Sequence, residues 1–162
     1  MSAVHDVLVA CRDAIQATIG IYGATFIIAI ISGFVPLVNA EIYLAAVAIS
    51  TKSIPLAIVL GMITALGQMV AKVGIYKAAQ KGANLKKYEE NGKLEKARRL
   101  MAKWKDKPHV LTFISASTGI PPFFIVSLVG GLLELPFAAF MAVGFVGRSI
   151  RFVTVAIIAV ML

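Results

Sequence analysis

Five charged residues stand inside apolar sequence: Glu41, Lys72, Glu134, Arg148 and Arg151. A charge at mid-membrane costs a few kcal/mol at least, so each must face protein, water or an opposite charge. A buried carboxylate can bind a cation or carry a proton. An arginine keeps its proton and forks onto phosphate or carboxylate. Glu41 follows the stretch "SGFVPLVNAE", where Gly33, Pro36 and Asn39 interrupt an apolar run. Glycine loosens the backbone there and Pro36 has no N–H to donate. Backbone groups freed by such a break need a polar cavity.

Two of these charges have a plainer reading. Glu41 sits at the membrane interface or bonds exposed backbone amides. Lys72 lies five residues before Lys77, near one end of its helix, and snorkels to the head groups. The arginines resist this treatment, because the eleven residues after Arg151, "FVTVAIIAVML", carry no charge. They add ~16 Å of helix beyond Arg151. Two partners suit these arginines: a phosphate-bearing lipid, or one of Glu41 and Glu134.

The elements that hold these residues follow from the uncharged runs. Residues 14 to 40, 53 to 71, 108 to 133 and 135 to 147 contain no Asp, Glu, Lys or Arg. The chain of 162 residues is 59% hydrophobic and 15% charged, with mean hydropathy +0.88. A soluble domain would have trouble hiding that much apolar surface. The composition therefore predicts one integral membrane domain, 1–162.

Residues 1–17 read as an amphipathic helix on the membrane surface, with Val4, Val7, Leu8, Cys11 and Ile15 on its apolar stripe. The opening "MSAVHDVLVACRD" does not read as a cleavable signal peptide. A first half-repeat covers 18–80. Its legs, about 18–32 and 38–50, are short for a crossing and flank the break at Pro36. A full-length helix then runs from Pro55 to about Ala79. The second half-repeat covers 108–162. Its legs, about 108–118 and 123–133, flank "STGIPPFF", with Gly119, Pro121 and Pro122, and a long helix follows "ELP" from 136. Both halves read as broken hairpin, proline-led helix, embedded cation. A hairpin plus one crossing is an odd number of crossings, so the second copy would be inverted, as in many secondary transporters. Chance similarity between two apolar stretches is the competing account.

Between the halves, residues 77 to 107 hold eleven Lys or Arg against four Asp or Glu. The positive-inside rule puts this segment, 81–107, in the cytoplasm. Leu94, Ala97, Met101 and Trp104 fall on one face of an interfacial helix within it. Anionic lipid is its natural partner. Nucleic acid is not expected, since both ends are tethered to membrane segments. Cys11 is the only cysteine, so no internal disulfide forms. His5 and His109 match no metal-ligand spacing, and no Walker loop, dinucleotide fingerprint or HExxH occurs. No enzyme activity, cofactor or metal is expected. Gly61 and Gly67 on the first long helix suggest close approach of a neighbour, and with it a homodimer.

These residues bring a family into view. The chain resembles the DedA family, also called the VTT or SNARE-associated-Golgi superfamily, over roughly residues 20 to 155. In the first hairpin "PLVNAE" ends in Glu41, with Asn39 where the family often has a proline. In "GQMVAKVGIY" Lys72 stands four residues before Tyr76, at the place of the family's Asp. "FISASTGIPPFFIVSLVGG" keeps Phe113, the proline break, Gly130 and Gly131, but its two arginine positions are uncharged. The resemblance implies two re-entrant hairpins of opposite orientation and movement of phosphate-bearing lipids across a bilayer, with proton coupling in bacterial members. Glu41 carries over by position; Arg148 and Arg151 stand in for the missing arginines from another element.

The sequence thus leads to an all-α integral membrane protein. It has two inverted re-entrant hairpins, each followed by a transmembrane helix, in a bacterial or archaeal cytoplasmic membrane. The expected function is a flippase or transporter for a phosphate-bearing lipid or other amphiphilic anion, coupled to protons or cations. The alternative is a non-transporting scaffold that holds lipids or partner proteins through the basic loop.

Overall fold

A computed structural model describes residues 17, 20–35, 39–81, 99 and 107–162. The amphipathic segment before Ala17, nearly all of the basic segment, and Pro36 lie outside the described residues. Among the described residues the chain is all helix. We number the helices α1 (Gly20–Phe34), α2 (Ala40–Thr51), α3 (Ile54–Gln80), α4 (Pro108–Thr118), α5 (Phe123–Leu132) and α6 (Phe137–Met161).

Each boundary has a local cause. Asn39 caps α2, its side-chain oxygen accepting from the backbone N–H of Glu41 at 2.9 Å and of Ile42 at 3.4 Å. That satisfies two of the donors a helix start leaves open. The other later helices begin at prolines instead: Pro55 and Pro108 lie in the first turn of α3 and α4, and Pro122 and Pro136 immediately precede α5 and α6. Proline suits these places because no helical hydrogen bond is lost there. Gly119 closes α4 with φ 80°, a left-handed conformation that favours glycine.

At 1.5 Å per residue α3 is about 40 Å long and α6 about 37 Å, while α2, α4 and α5 reach only about 15–18 Å. A bilayer's hydrocarbon core is ~30 Å thick. Two helices, α3 and α6, are therefore long and apolar enough to cross a membrane. Length alone would also suit the core helix of a soluble protein, but such a helix is mostly buried. Only 28% of the most apolar window of α6 is buried, and 50% of that of α3. Ile58, Met62, Leu66 and Val70, spaced four apart along α3, lie bare, as do Val146, Ile150 and Ile158 on α6. Exposed apolar faces of this extent are rare on soluble monomers and suit lipid.

The two long helices form the centre and pack along each other. The short helices are shared between them. Helix α5, from the second half of the chain, packs on α3; α2, from the first half, packs on α6, and α4 joins it there. Helix α1 lies on α3. Gly67 faces Ala29 and the carbonyl of Phe26, so closely that an added Cβ would stand 2.7–2.8 Å from them. Gly147 of α6 makes the same contact with α4: an added Cβ would stand 2.8 Å from Ala116 and 3.1 Å from the carbonyl of Phe113. Small residues let these backbones meet without a large side chain between them. Gly61 likewise abuts Val153. Gly61 and Gly67, which the sequence suggested for a dimer contact, are thus both used within one chain.

One core joins Met69, Tyr76, Leu111, Phe123, Val126 and Phe140; there the Phe123 and Phe140 rings lie 5.7 Å apart and nearly parallel. Another, rich in alanine, joins α2, α3 and α6 through Leu44, Ala48, Leu60, Phe152 and Ala156. The buried hydroxyls of Thr25, Thr64, Thr112 and Ser127 each donate to the carbonyl four residues back, so they cost the apolar interior little.

Candidate functional site

The two breaks in the helices meet at one cavity of about 330 Å³. From the first break come Ser32, Gly33, Asn39 and Glu41; from the second, Gly119, Pro122, Phe123 and Phe124. The long helices supply Gln68, Lys72, Arg148, Arg151 and Phe152. Four of the five embedded charges in the sequence therefore converge. Glu134 does not: it is exposed in the turn between α5 and α6 and is absent from the cavity wall. That turn is instead tied to α3 by the Tyr76 hydroxyl, which donates to the carbonyl of Leu135. Pro121 stands behind the wall, its carbonyl accepting from Ser115 Oγ at 2.5 Å.

Glu41 lies in the first turn of α2, where the helix dipole favours a negative charge. Its carboxylate does not bond the local amides, because Asn39 takes them. It accepts from Arg151 instead, from Nε at 2.6 Å and also from Nη2. Both side chains stay partly open, 33% for Glu41 and 24% for Arg151. The same guanidinium lies against Gly119, where any side chain would collide with it. The Glu41–Arg151 pair thus links α2 to α6 and touches both breaks.

Lys72 does not snorkel. It is 4% exposed, and its ammonium donates to the carbonyl of Gly33. Gly33 lies in the last turn of α1, where a helix leaves carbonyls open to other donors. Lys72 Nζ also lies 5.7 Å from the centre of the Phe124 ring, a distance at which a cation is attracted to the π face.

Arg148 is the other cation at the centre. Its Nη1 donates to Gln68 Oε1, and Gln68 Nε2 donates in turn to Ser32 Oγ at 2.9 Å. Ser32 Oγ ends the chain on the carbonyl of Ala29, also at 2.9 Å. The guanidinium lies 4.8 Å from the Phe123 ring centre and 5.6 Å from that of Phe152. It makes no ion pair among the described residues. Its Nε is buried and has no hydrogen-bond partner among the described residues. Such orphan donors are rare in folded proteins and want an explanation.

The cavity therefore holds three cationic side chains and one carboxylate, and the carboxylate is engaged by Arg151. An anion entering it would meet a formal surplus of two positive charges under low dielectric. Sequence reasoning, drawn to charge, passed over Gln68 and Ser32. The available signal was an amide directly after a close-packing glycine in an otherwise apolar helix.

Compared with protein-family models, curated proteins and solved structures, the chain matches none of them.

Proposed function

We propose that the protein moves a phosphate-bearing lipid or other amphiphilic anion across a bilayer. In this reading α1–α2 and α4–α5 are re-entrant hairpins, and α1–α3 and α4–α6 are inverted repeats. The observation that carries it is the convergence of Lys72, Arg148 and Arg151 with Glu41 on one cavity at both helix breaks. A cationic pocket between apolar helices suits a ligand whose charged head is compact and whose tail is apolar.

Two further features support the repeats. Gly67 meets Phe26 and Ala29 as Gly147 meets Phe113 and Ala116. The residues that follow, Gln68 and Arg148, hydrogen-bond each other, as expected of equivalent positions at a pseudo-twofold axis. The exchange of short helices also matches: α5 packs on α3, and α2 on α6. The resemblance to the DedA family fits the same reading. Its second hairpin carries arginines, and here a guanidinium reaches that break from α6, through Arg151 against Gly119.

Reconstitution into vesicles tests the proposal. The protein should accelerate movement of a labelled phosphate-bearing lipid between leaflets. Arg148→Gln should lower that rate by about ten-fold or more, since a charged hydrogen bond is worth ~1.5–3 kcal/mol. A folded wild-type protein that leaves the rate at the level of empty vesicles refutes transport of such lipids. It would leave the scaffold alternative standing.

A further inference from the structure

The cations of the cavity are not equivalent. Arg151 is held by Glu41, and its fork is occupied. Arg148 and Lys72 face no carboxylate within ion-pairing distance among the described residues. Lys72 bonds a carbonyl; Arg148 bonds the neutral amide of Gln68 through Nη1 only. A guanidinium binds an oxyanion best through two parallel N–H groups, and Nε with Nη2 forms one such edge. Holding Nη1 fixes the rotation of that edge. Nε on it is the buried donor without a partner among the described residues. Gln68 is itself fixed, because its amide nitrogen is spent on Ser32. Its oxygen is therefore the end that must face Arg148.

We propose that Arg148 and Lys72 form an oxyanion subsite for a phosphate group, and that Gln68 is the positioning residue that aims Arg148 into it. A neutral amide has a reason to be there. It orients the guanidinium without neutralising it, so the positive charge remains for a ligand. The rings of Phe123 and Phe124 form the apolar wall beside this phosphate. The Glu41–Arg151 pair lines the same cavity, but its charges are engaged with each other and it links α2 to α6. This inference rests on the anion reading of the cavity and names the groups that hold the anion.

The test measures binding separately from transport. Purified protein in detergent is titrated with inorganic phosphate and, in parallel, with a short-chain lipid bearing a phosphomonoester. Calorimetry reports affinity and thermal unfolding reports stability. Wild-type protein should bind phosphate; Lys72→Gln and Arg148→Gln should each weaken binding ~10-fold or more. Gln68→Glu is the discriminating variant. It keeps an acceptor for Arg148, gives up the donor to Ser32 and adds a negative charge beside the guanidinium, so a merely structural role predicts altered stability with phosphate binding unchanged. The subsite predicts phosphate binding lost whatever the change in stability. Gln68→Met, which keeps the volume and removes the acceptor, should weaken binding as well and serves if the glutamate variant fails to fold. Lys77→Gln, an exposed cation outside the cavity wall, should leave affinity unchanged. Tighter binding of the lipid than of free phosphate identifies a lipid head group as the source; equal affinity identifies the free ion. Wild-type protein that binds neither probe, or Gln68→Glu protein that binds both like wild type, overturns the subsite. Lipid movement without binding here would refute the subsite and spare the transport reading; binding without lipid movement would do the reverse.

Discussion

Glu41 shows how much one partner decides. Its carboxylate was open to four fates in sequence: a group at the membrane interface, a cap on exposed amides, a free group in a cavity, or a partner for a cation. Asn39 removes the second by taking the amides of Glu41 and Ile42 itself. Arg151 then supplies the partner, from 110 residues further along the chain. Removing one member of an ion pair leaves the other charge poorly solvated, which costs 3–5 kcal/mol when both are fully buried. This pair is partly open, so Glu41→Gln should cost less, about 1–2 kcal/mol. The double exchange Glu41→Arg with Arg151→Glu should recover most of the loss, while Glu41→Lys with Lys72→Glu should not. Thermal unfolding of the purified variants reads this directly. Recovery by the Lys72 exchange would place the partner of Glu41 on α3 and refute the pairing. A Glu41→Gln protein as stable and as active as wild type would mean that the glutamate has neither a structural nor a transport role.

At the scale of elements, the breaks and helices were legible because their causes are local. Pro55, Pro108, Pro122 and Pro136 mark helix starts, Gly119 marks an end, and the uncharged runs give the lengths. The observed bounds fall within two residues of those expected. What the sequence did not disclose was which helix lies on which. That depends on shape at a few small residues. Gly61 and Gly67 read as places where a neighbouring helix, of this chain or of a second copy, comes close; each is filled by a helix of the same chain. The choice between Glu41 and Glu134 as the partner of an arginine was hidden for the same reason, since it depends on α2 packing against α6 as well as against α3. The repeated contact at Gly67 and Gly147 gives a test at this scale. Gly67→Val and Gly147→Val should each destabilise the protein by about 1–3 kcal/mol, because the added atoms meet backbone that has no room to yield. Gly20→Val and Gly23→Val should be near neutral, as no atom of the described residues lies within 4 Å of either added Cβ. Comparable losses at the two packed positions and none at the open ones would fit; a neutral Gly147→Val would show that α4 does not seat on α6 in this way.

Among the described residues the central cavity is polar, while the outer faces of the two long helices are apolar, a surface unlike that of a soluble domain. Lys72, Gln68, Arg148 and the Glu41–Arg151 pair line the cavity, while Leu66 on α3 is 50% exposed and Ile158 on α6 is 53% exposed. The two environments assign opposite consequences to one substitution. In water, replacing an exposed leucine or isoleucine by lysine changes stability by less than ~0.5 kcal/mol and helps solubility. In a bilayer, a lysine at the centre of a spanning helix costs about 2.5–3.5 kcal/mol of insertion free energy. Leu66 sits near the middle of α3, about 18 Å from its start, too far for a lysine to reach the head groups at little cost. Ile158 is close to the end of α6, where a lysine can snorkel. Leu66→Lys should therefore reduce the carbonate-resistant membrane fraction of the expressed protein severalfold, and Ile158→Lys much less. The matched substitution Leu66→Met should leave insertion unchanged. A Leu66→Lys protein that remains in the membrane fraction at wild-type level would mean that this face of α3 is not in contact with lipid.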